Sequence, residues 1–284
     1  MKTVYFSNKQ KPWLFRKSVF LFSHSLASIA PSLAIKFSKK LLFNPFSRRQ
    51  YKFRRVPQPQ NYVVPISMGD ISCLKFGNGK NHILLIHGWG DTALRFSPLI
   101  KTLLEGDNTI WCFDHIGHGN SFGNYSHLFG CIEGVEAVCE FIHAKGHRIN
   151  KIVTHSMGGL ALLNMPANFL SDKKIIIISM PVQFFEAMFQ KLDNLGFSQK
   201  LMDISLNRVS KEYATEWHTL LPDAHRHKIG AGFTFIHDKD DEFAAHKNIQ
   251  DFLETLDCNF ISTSGLGHNG IMKDPTMLKQ INSL

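Results

Sequence analysis

Hydrophobic and polar positions change period along the chain in a repeating way. Asn61–Ser67 and Ile71–Phe76 are β-rich runs separated by Met68-Gly69-Asp70, a spacing that predicts an antiparallel hairpin. His82–His87 is a continuous apolar run that ends in glycines, as expected of a strand buried on both faces. Thr109–Asp114, Lys151–His155, Lys174–Ser179, Phe233–His237 and Cys258–Ser262 repeat the theme. Helical periods lie between them. The clearest spans 128–142, where Leu128, Cys131, Ile132, Val135, Val138 and Ile142 fall on one face. Strands alternating with helices predict an α/β fold with a mostly parallel central sheet flanked by helices. Right-handed crossovers then bring the C-terminal ends of the parallel strands to one sheet edge, where ligands bind.

Met180–Lys228 is too long for a plain crossover between two strands. It is rich in Phe184, Phe185, Met188, Phe189, Leu192 and Leu195, which predicts a small helical cap over residues 180–228 whose apolar faces would line a pocket. The 284 residues suffice for one sizeable core, and at 44% hydrophobic and 19% charged positions they exclude a disordered or collagen-like chain. Five scattered cysteines without a CxxC or zinc spacing read as reduced thiols. His225-Arg226-His227 lacks a third ligand at a recognised spacing, so no metal is expected.

Charge changes the picture at one end only. The net charge of +9 would suggest a nucleic-acid partner if it were spread evenly. Residues 1–60 instead hold 13 Lys/Arg and no acid, while the remaining 224 hold 19 basic and 23 acidic side chains. Nucleic-acid binding is therefore not expected of the body. The chain divides into a basic, amphipathic N-terminal arm and linker over 1–60 and an α/β domain over 61–284. Within residues 12–46 of the arm, the stretch from Ser18 to Ile35 is long enough to suggest a spanning helix, and a basic start, a Phe/Leu-rich centre and Ser28-Ile29-Ala30 suggest a signal peptide. The serines and Pro31 argue against both. Leu26, Ile29, Leu33 and Phe37 predict an amphipathic helix that packs on the domain behind it or makes peripheral membrane contact. A cytoplasmic protein, with membrane-surface association as the variant, is the expectation.

The candidate chemistry sits just after the strands. His87-Gly88-Trp89-Gly90 follows the first long apolar run, and Asp114–Ser121 follows the next. His155-Ser156-Met157-Gly158-Gly159 comes after KIVT, Asp238, Asp240 and Asp241 come after FTFIH, and Gly265-Leu266-Gly267-His268 comes after the last strand. A serine hydroxyl is a weak nucleophile that needs a base, an anion to orient the base, and donors for the developing oxyanion. Ser, Asp and His in this order, each following a separate strand, offer such a set.

On these motifs the chain resembles the α/β-hydrolase superfamily, and its serine esterase/lipase-type members most. The resemblance covers residues 61–284, with weaker similarity at Pro31–Pro45. It implies an α/β-hydrolase fold with an N-terminal antiparallel hairpin. It also implies Ser156 as nucleophile, His268 as general base, and Asp241 as the orienting acid, with Asp240 the alternative. The backbone N–H groups of Trp89 and Met157 would form the oxyanion hole. The implied activity is hydrolysis of carboxylic esters through an acyl-enzyme on a small-molecule or lipid-like substrate, with no cofactor. Acyl transfer or thioester hydrolysis on the same residues, or a non-catalytic binding protein, are the alternatives. Two departures stand out. Thr154 occupies the first glycine of the usual G-x-S-x-G, and Glu242-Phe243-Ala244-Ala245 follows Asp241 where relatives often carry Val-Pro.

Overall fold

The computed structural model describes residues 11–41, 43–48 and 50–284; the first ten residues of the arm, with 42 and 49, lie outside it. The elements in chain order are α1 (Trp13–Ile29), α2 (Pro31–Leu41), β1 (Gln60–Ile66), β2 (Gly69–Phe76), β3 (Asn81–Ile86), α3 (Ser97–Leu103), β4 (Asn108–Phe113), α4 (Leu128–Ala144), β5 (Ile149–His155), α5 (Met157–Leu163) and the single turn α6 (Ala167–Leu170). Then follow β6 (Lys174–Ile178), α7 (Phe184–Asn194), α8 (Gln199–Glu212), β7 (Phe233–Asp238), α9 (His246–Leu253), β8 (Asn259–Thr263), the single turn α10 (Gly267–Gly270) and α11 (Pro275–Ser283). They fall into two compact units. One combines the described residues up to Asn44 with Gln183–Leu220, and the other combines Pro45–Val182 with Leu221–Leu284.

The larger unit is built on one eight-stranded sheet in the order β1-β2-β4-β3-β5-β6-β7-β8. β1 and β2 form the expected antiparallel hairpin, β2 pairs antiparallel with β4, and all other neighbours are parallel. This is the α/β-hydrolase fold. Alternate residues of each strand point to opposite faces. Ile83, Leu85, Ile110, Cys112, Val153, Ile176 and Ile178 face one core with Leu99, Ile100 and Leu103 of α3 and Met277, Leu278 and Ile281 of α11. The other face is covered by α4, whose Gly134 lies against Ile71 and Phe113, and by α5, whose Gly159 lies against Ile177. Leu84, Leu85, Ile86 and Trp111 have no exposed surface at all, which is why their strands read as unbroken apolar runs.

The smaller unit is helical. Pro31 divides the arm: it has no N–H to donate within a helix and it disfavours helical geometry at Ala30, which takes φ −134° and ψ 64°. The continuous stripe expected from Leu26 to Phe37 is therefore split. Leu26 and Phe37 pack with Ala27, Ala34 and Leu201, whereas Ile29 and Leu33 are exposed. Both α1 and α2 lie against α8. Beside this apolar cluster the seam is joined by hydrogen bonds. Ser198 N–H donates to Ser23 Oγ at 2.9 Å, Ser205 Oγ lies 2.7 Å from Ser38 Oγ, and Lys200 Nζ donates to Ser28 Oγ at 3.0 Å. Among the described residues no helix is long and apolar enough to cross a membrane.

Candidate active site

β5 ends at His155, and α5 begins at Met157. Ser156 makes the turn between them with φ 55° and ψ −128°, a backbone conformation that side chains with a Cβ rarely adopt. The turn is held from both sides, by Ser156 N–H donating to Ile178 O at 2.8 Å and Gly159 N–H donating to Ser156 O at 3.0 Å. It is possible only because its neighbours are small. A Cβ on Gly158 would lie 2.5 Å from Ile86 O, and one on Gly88 would lie 2.7 Å from Ser156 Cβ. Gly88 thus brings the HGWG loop directly against the serine. Thr154, at the position of the missing first glycine, is fully buried with its Oγ1 unpartnered, so the branched side chain is accommodated inside the domain.

Ser156, His268 and Asp241 come together although more than a hundred residues separate the first two. His268 Nε2 lies 3.0 Å from Ser156 Oγ, and His268 Nδ1 lies 2.8 Å from Asp241 Oδ2. The Asp241 side chain is wholly buried. Its Oδ1 accepts from the N–H groups of Phe243 and Ala244 at 2.8 and 2.9 Å, and His237 Nε2 lies 3.4 Å from Oδ2. Burial opposes the charge on Asp241, but His237, His268 and the Ala244 N–H outweigh it and hold the carboxyl well below the usual carboxylate range. Asp240 is exposed and accepts from Gly265 N–H at 2.7 Å, so it does not face the imidazole.

Asp238 has a part that the sequence pattern did not reveal. Its Oδ1 accepts from Gly267 N–H at 2.8 Å, and its Oδ2 accepts from Thr263 Oγ1 at 2.6 Å and Leu266 N–H at 3.1 Å. The carboxylate at the end of β7 thereby ties down the loop that carries His268. A second tie comes from His155, whose Nε2 lies 2.9 Å from His268 O. The only hint in the sequence was that Asp238 and Gly267 each follow a strand.

The loop after β4 supports the other side. Asp114 is buried and accepts from the N–H groups of Ala93 and Asn120 at 2.8 Å each and from Tyr51 O–H at 2.9 Å. Ser121 Oγ donates to Asp114 O at 2.6 Å. Gly90 N–H donates to His118 Nε2 at 3.1 Å, and the Trp89 ring stands edge-on to the His118 ring with centroids 5.4 Å apart. His118 thus pins the loop on which Trp89 sits. Burial pushes His118 down to about 3, as it does His155, so both rings stay neutral at pH values where ordinary histidines gain a proton. Met157 is buried at the first position of α5, where a helical N–H has no intrahelical acceptor. All five cysteines are free, and burial raises the thiols of Cys73 and Cys131 to about 12, so neither offers a thiolate near neutral pH.

Comparison with known proteins bears on the family and the fold. Residues 77–228 match the family described as Serine aminopeptidase, S33 (Hydrolase_4). The esterase Pf2001 of Pyrococcus furiosus superimposes with a TM-score of 0.63 at 14% identity, covering 84% of this chain and 97% of that one. Est1E of Butyrivibrio proteoclasticus gives 0.61 at 16% identity, covering 78% and 96%, and a further structure of Est1E holds ferulic acid. At such identities the likeness is one of fold. A Mycoplasma pneumoniae protein named "Putative esterase/lipase 2" is 26% identical over 103 residues, which is 36% of this chain and 38% of that protein's length. The family match extends over more than half of the 284 residues and runs from the end of β2 past the serine turn, and the chain belongs to the Serine aminopeptidase, S33 family of α/β-hydrolases.

Proposed function

We propose that the protein is a serine hydrolase that cleaves carboxylic esters through an acyl-enzyme. The observation that carries this reading is the chain of contacts from Ser156 Oγ to His268 Nε2 and from His268 Nδ1 to Asp241, on a serine held in a left-handed turn. Ser156 Oγ attacks the ester carbonyl carbon as His268 Nε2 takes its proton. Asp241 fixes the ring so that Nδ1 carries the hydrogen and Nε2 is the free acceptor, and it stabilises the imidazolium that forms. The N–H groups of Trp89 and Met157 hold the oxyanion; one such donor is worth about 2.7–4 kcal/mol in the transition state. His268 then gives its proton to the leaving alkoxide. Water, activated by the same ring, releases the acid and restores the serine. Every proton is carried by a side chain or by water, so no cofactor enters the scheme.

The names of the relatives favour esters. The ferulic acid held by Est1E makes an aryl-propenoate ester a sensible member of a substrate panel. The family description points instead toward amides, which need the same attack but a harder protonation of the leaving nitrogen. Turnover of p-nitrophenyl acetate and butyrate beside a p-nitroanilide, by wild type and Ser156→Ala, separates these readings. Ester turnover that disappears with Ser156→Ala is expected. Equal rates in both proteins would overturn the assignment. Failure of a fluorophosphonate to label Ser156, together with no turnover, would identify a binding protein on a hydrolase fold. Acyl transfer to another acceptor would be recognised from the products.

A further inference from the structure

Large apolar side chains are left in solvent mainly at one place. Among the described residues, eight of the twelve exposed large hydrophobic side chains lie between Trp13 and Leu33. Leu14 is 71% exposed and Ile29 84%, while the same helix buries Ser23 and Ala27. α1 is therefore inverted relative to a helix that borders water: Ser23 and Ala27 are packed inward, while all of its large apolar residues but Val19 and Leu26 are exposed. At 3.6 residues per turn Leu14 and Leu21 lie opposite Ser23 and Ala27, and Phe15, Phe22 and Ile29, spaced by seven, run beside them. Ser18, on the outward side, has its hydroxyl satisfied within the helix: its Oγ donates to Leu14 O at 2.9 Å.

Charge identifies the occupant. Arg16 and Lys39 are paired with Asp193 and Glu212. Lys11, Lys17, Lys36 and Lys40 have no carboxylate partner among the described residues, and residues 1–60 contain no acid. A second copy of the chain would set these cations against one another, whereas a negatively charged lipid surface complements them. The 17-residue α1 is about 25 Å long, less than the roughly 30 Å hydrocarbon thickness of a bilayer, so it is suited to lie along the interface rather than cross it.

We propose that the outer face of α1, continued by Leu33 at the start of α2, docks on an anionic phospholipid bilayer, with Leu14, Leu21, Phe22 and Ile29 inserted among the headgroups. The test is co-sedimentation of the full-length protein with vesicles of phosphatidylcholine plus phosphatidylglycerol, and with phosphatidylcholine alone. Wild type is expected to pellet with the anionic vesicles and to be released by high salt. Serine at all four inserted positions is expected to lower the vesicle-bound to free ratio at least about tenfold with an unchanged melting temperature, because every site is exposed. Lys17→Gln with Lys36→Gln and Lys40→Gln should remove the preference for phosphatidylglycerol. In wild type, brominated lipid should quench tryptophan emission, and Trp13→Phe should abolish that quenching; this measurement holds even if the serine variant fails to fold. Wild type remaining in the supernatant overturns the proposal. So does equal pelleting of the serine variant, equal pelleting on both lipids, or quenching that survives Trp13→Phe. A vesicle-independent dimer dissolved by the serine substitutions, without sedimentation, would identify a protein-facing surface and overturn it as well.

Discussion

The body and the arm solve the packing problem in opposite ways. In the body, β3 buries Leu84, Leu85 and Ile86 completely. In the arm, α1 buries Ser23 and Ala27 and presents leucine, phenylalanine and tryptophan to its surroundings. The hydrophobic effect rewards burial of apolar area at about 25 cal/mol per Å², so the first arrangement stabilises folding in water and the second contributes little to it. Small residues along α1 and α2 do permit close approach to α8 and allow hydroxyls to pair, as Ser38 does with Ser205. The contrast teaches that similar apolar density in two stretches of one chain need not mean similar depth.

The sharpest way to break the comparison is to find chemistry in the arm. Ser156→Ala is expected to lower kcat for p-nitrophenyl butyrate by up to about 10⁶-fold, the loss seen when a serine nucleophile is removed elsewhere. Asp241→Asn should lower it about 10⁴-fold by leaving the imidazole in the wrong tautomer, whereas Asp240→Asn should change it little. Rates for the three variants decide whether the body alone carries the reaction.

The second test makes the same deletion in both regions. Leu85→Ala should cost about 2–5 kcal/mol in urea unfolding through lost transfer energy and a cavity. Leu21→Ala, at an exposed site, should stay within about 0.5 kcal/mol. A large loss at Leu21 would mean that its face is covered in the folded protein. Between these lies Ala27→Leu, which overfills the α1–α8 seam and should cost about 1–3 kcal/mol.

Acid should separate the regions more gently. Burial lowers His118 and His155 to about 3, drops His87 below its ordinary value, and takes His115 well below it. In the unfolded chain these rings bind protons below about pH 6.5 while in the folded body they do not, so stability falls as pH drops from there. Asp241, depressed in the fold, adds stability above about pH 4 that is lost on further acidification. Thermal melts between about pH 7 and pH 5 should show a steadily falling midpoint, with a shallower slope in His118→Gln. A flat profile would mean that the buried rings accept protons in the folded state.

Much of the body was legible because each strand is short, apolar and followed at once by its candidate chemistry. His82–His87 corresponds to β3 and the helical period at 128–142 to α4, each within a residue or two. Ser156 and His268 stood out because glycines surround them. The arm was less legible: periodicity reports that a helix has an apolar face, not what that face meets. The spacing from Leu26 to Phe37 suggested one stripe, and Pro31 broke it into two helices that turn different residues inward.

What the amino-acid order determined by itself was local: strand runs, helix periods, the proline break, the glycines that let backbone approach Ser156, and the uneven charge. Tertiary structure alone decided which aspartate meets His268, since Asp240 and Asp241 are adjacent and chemically identical until one is buried beside His237 and the other is turned to Gly265. It also decided that Asp238 clamps the histidine loop and that α1 wears its apolar side outward. The physical reason is common to all three. Direction, burial and partner are properties of chain crossings in space, and a one-dimensional pattern fixes only which residues are available to be crossed.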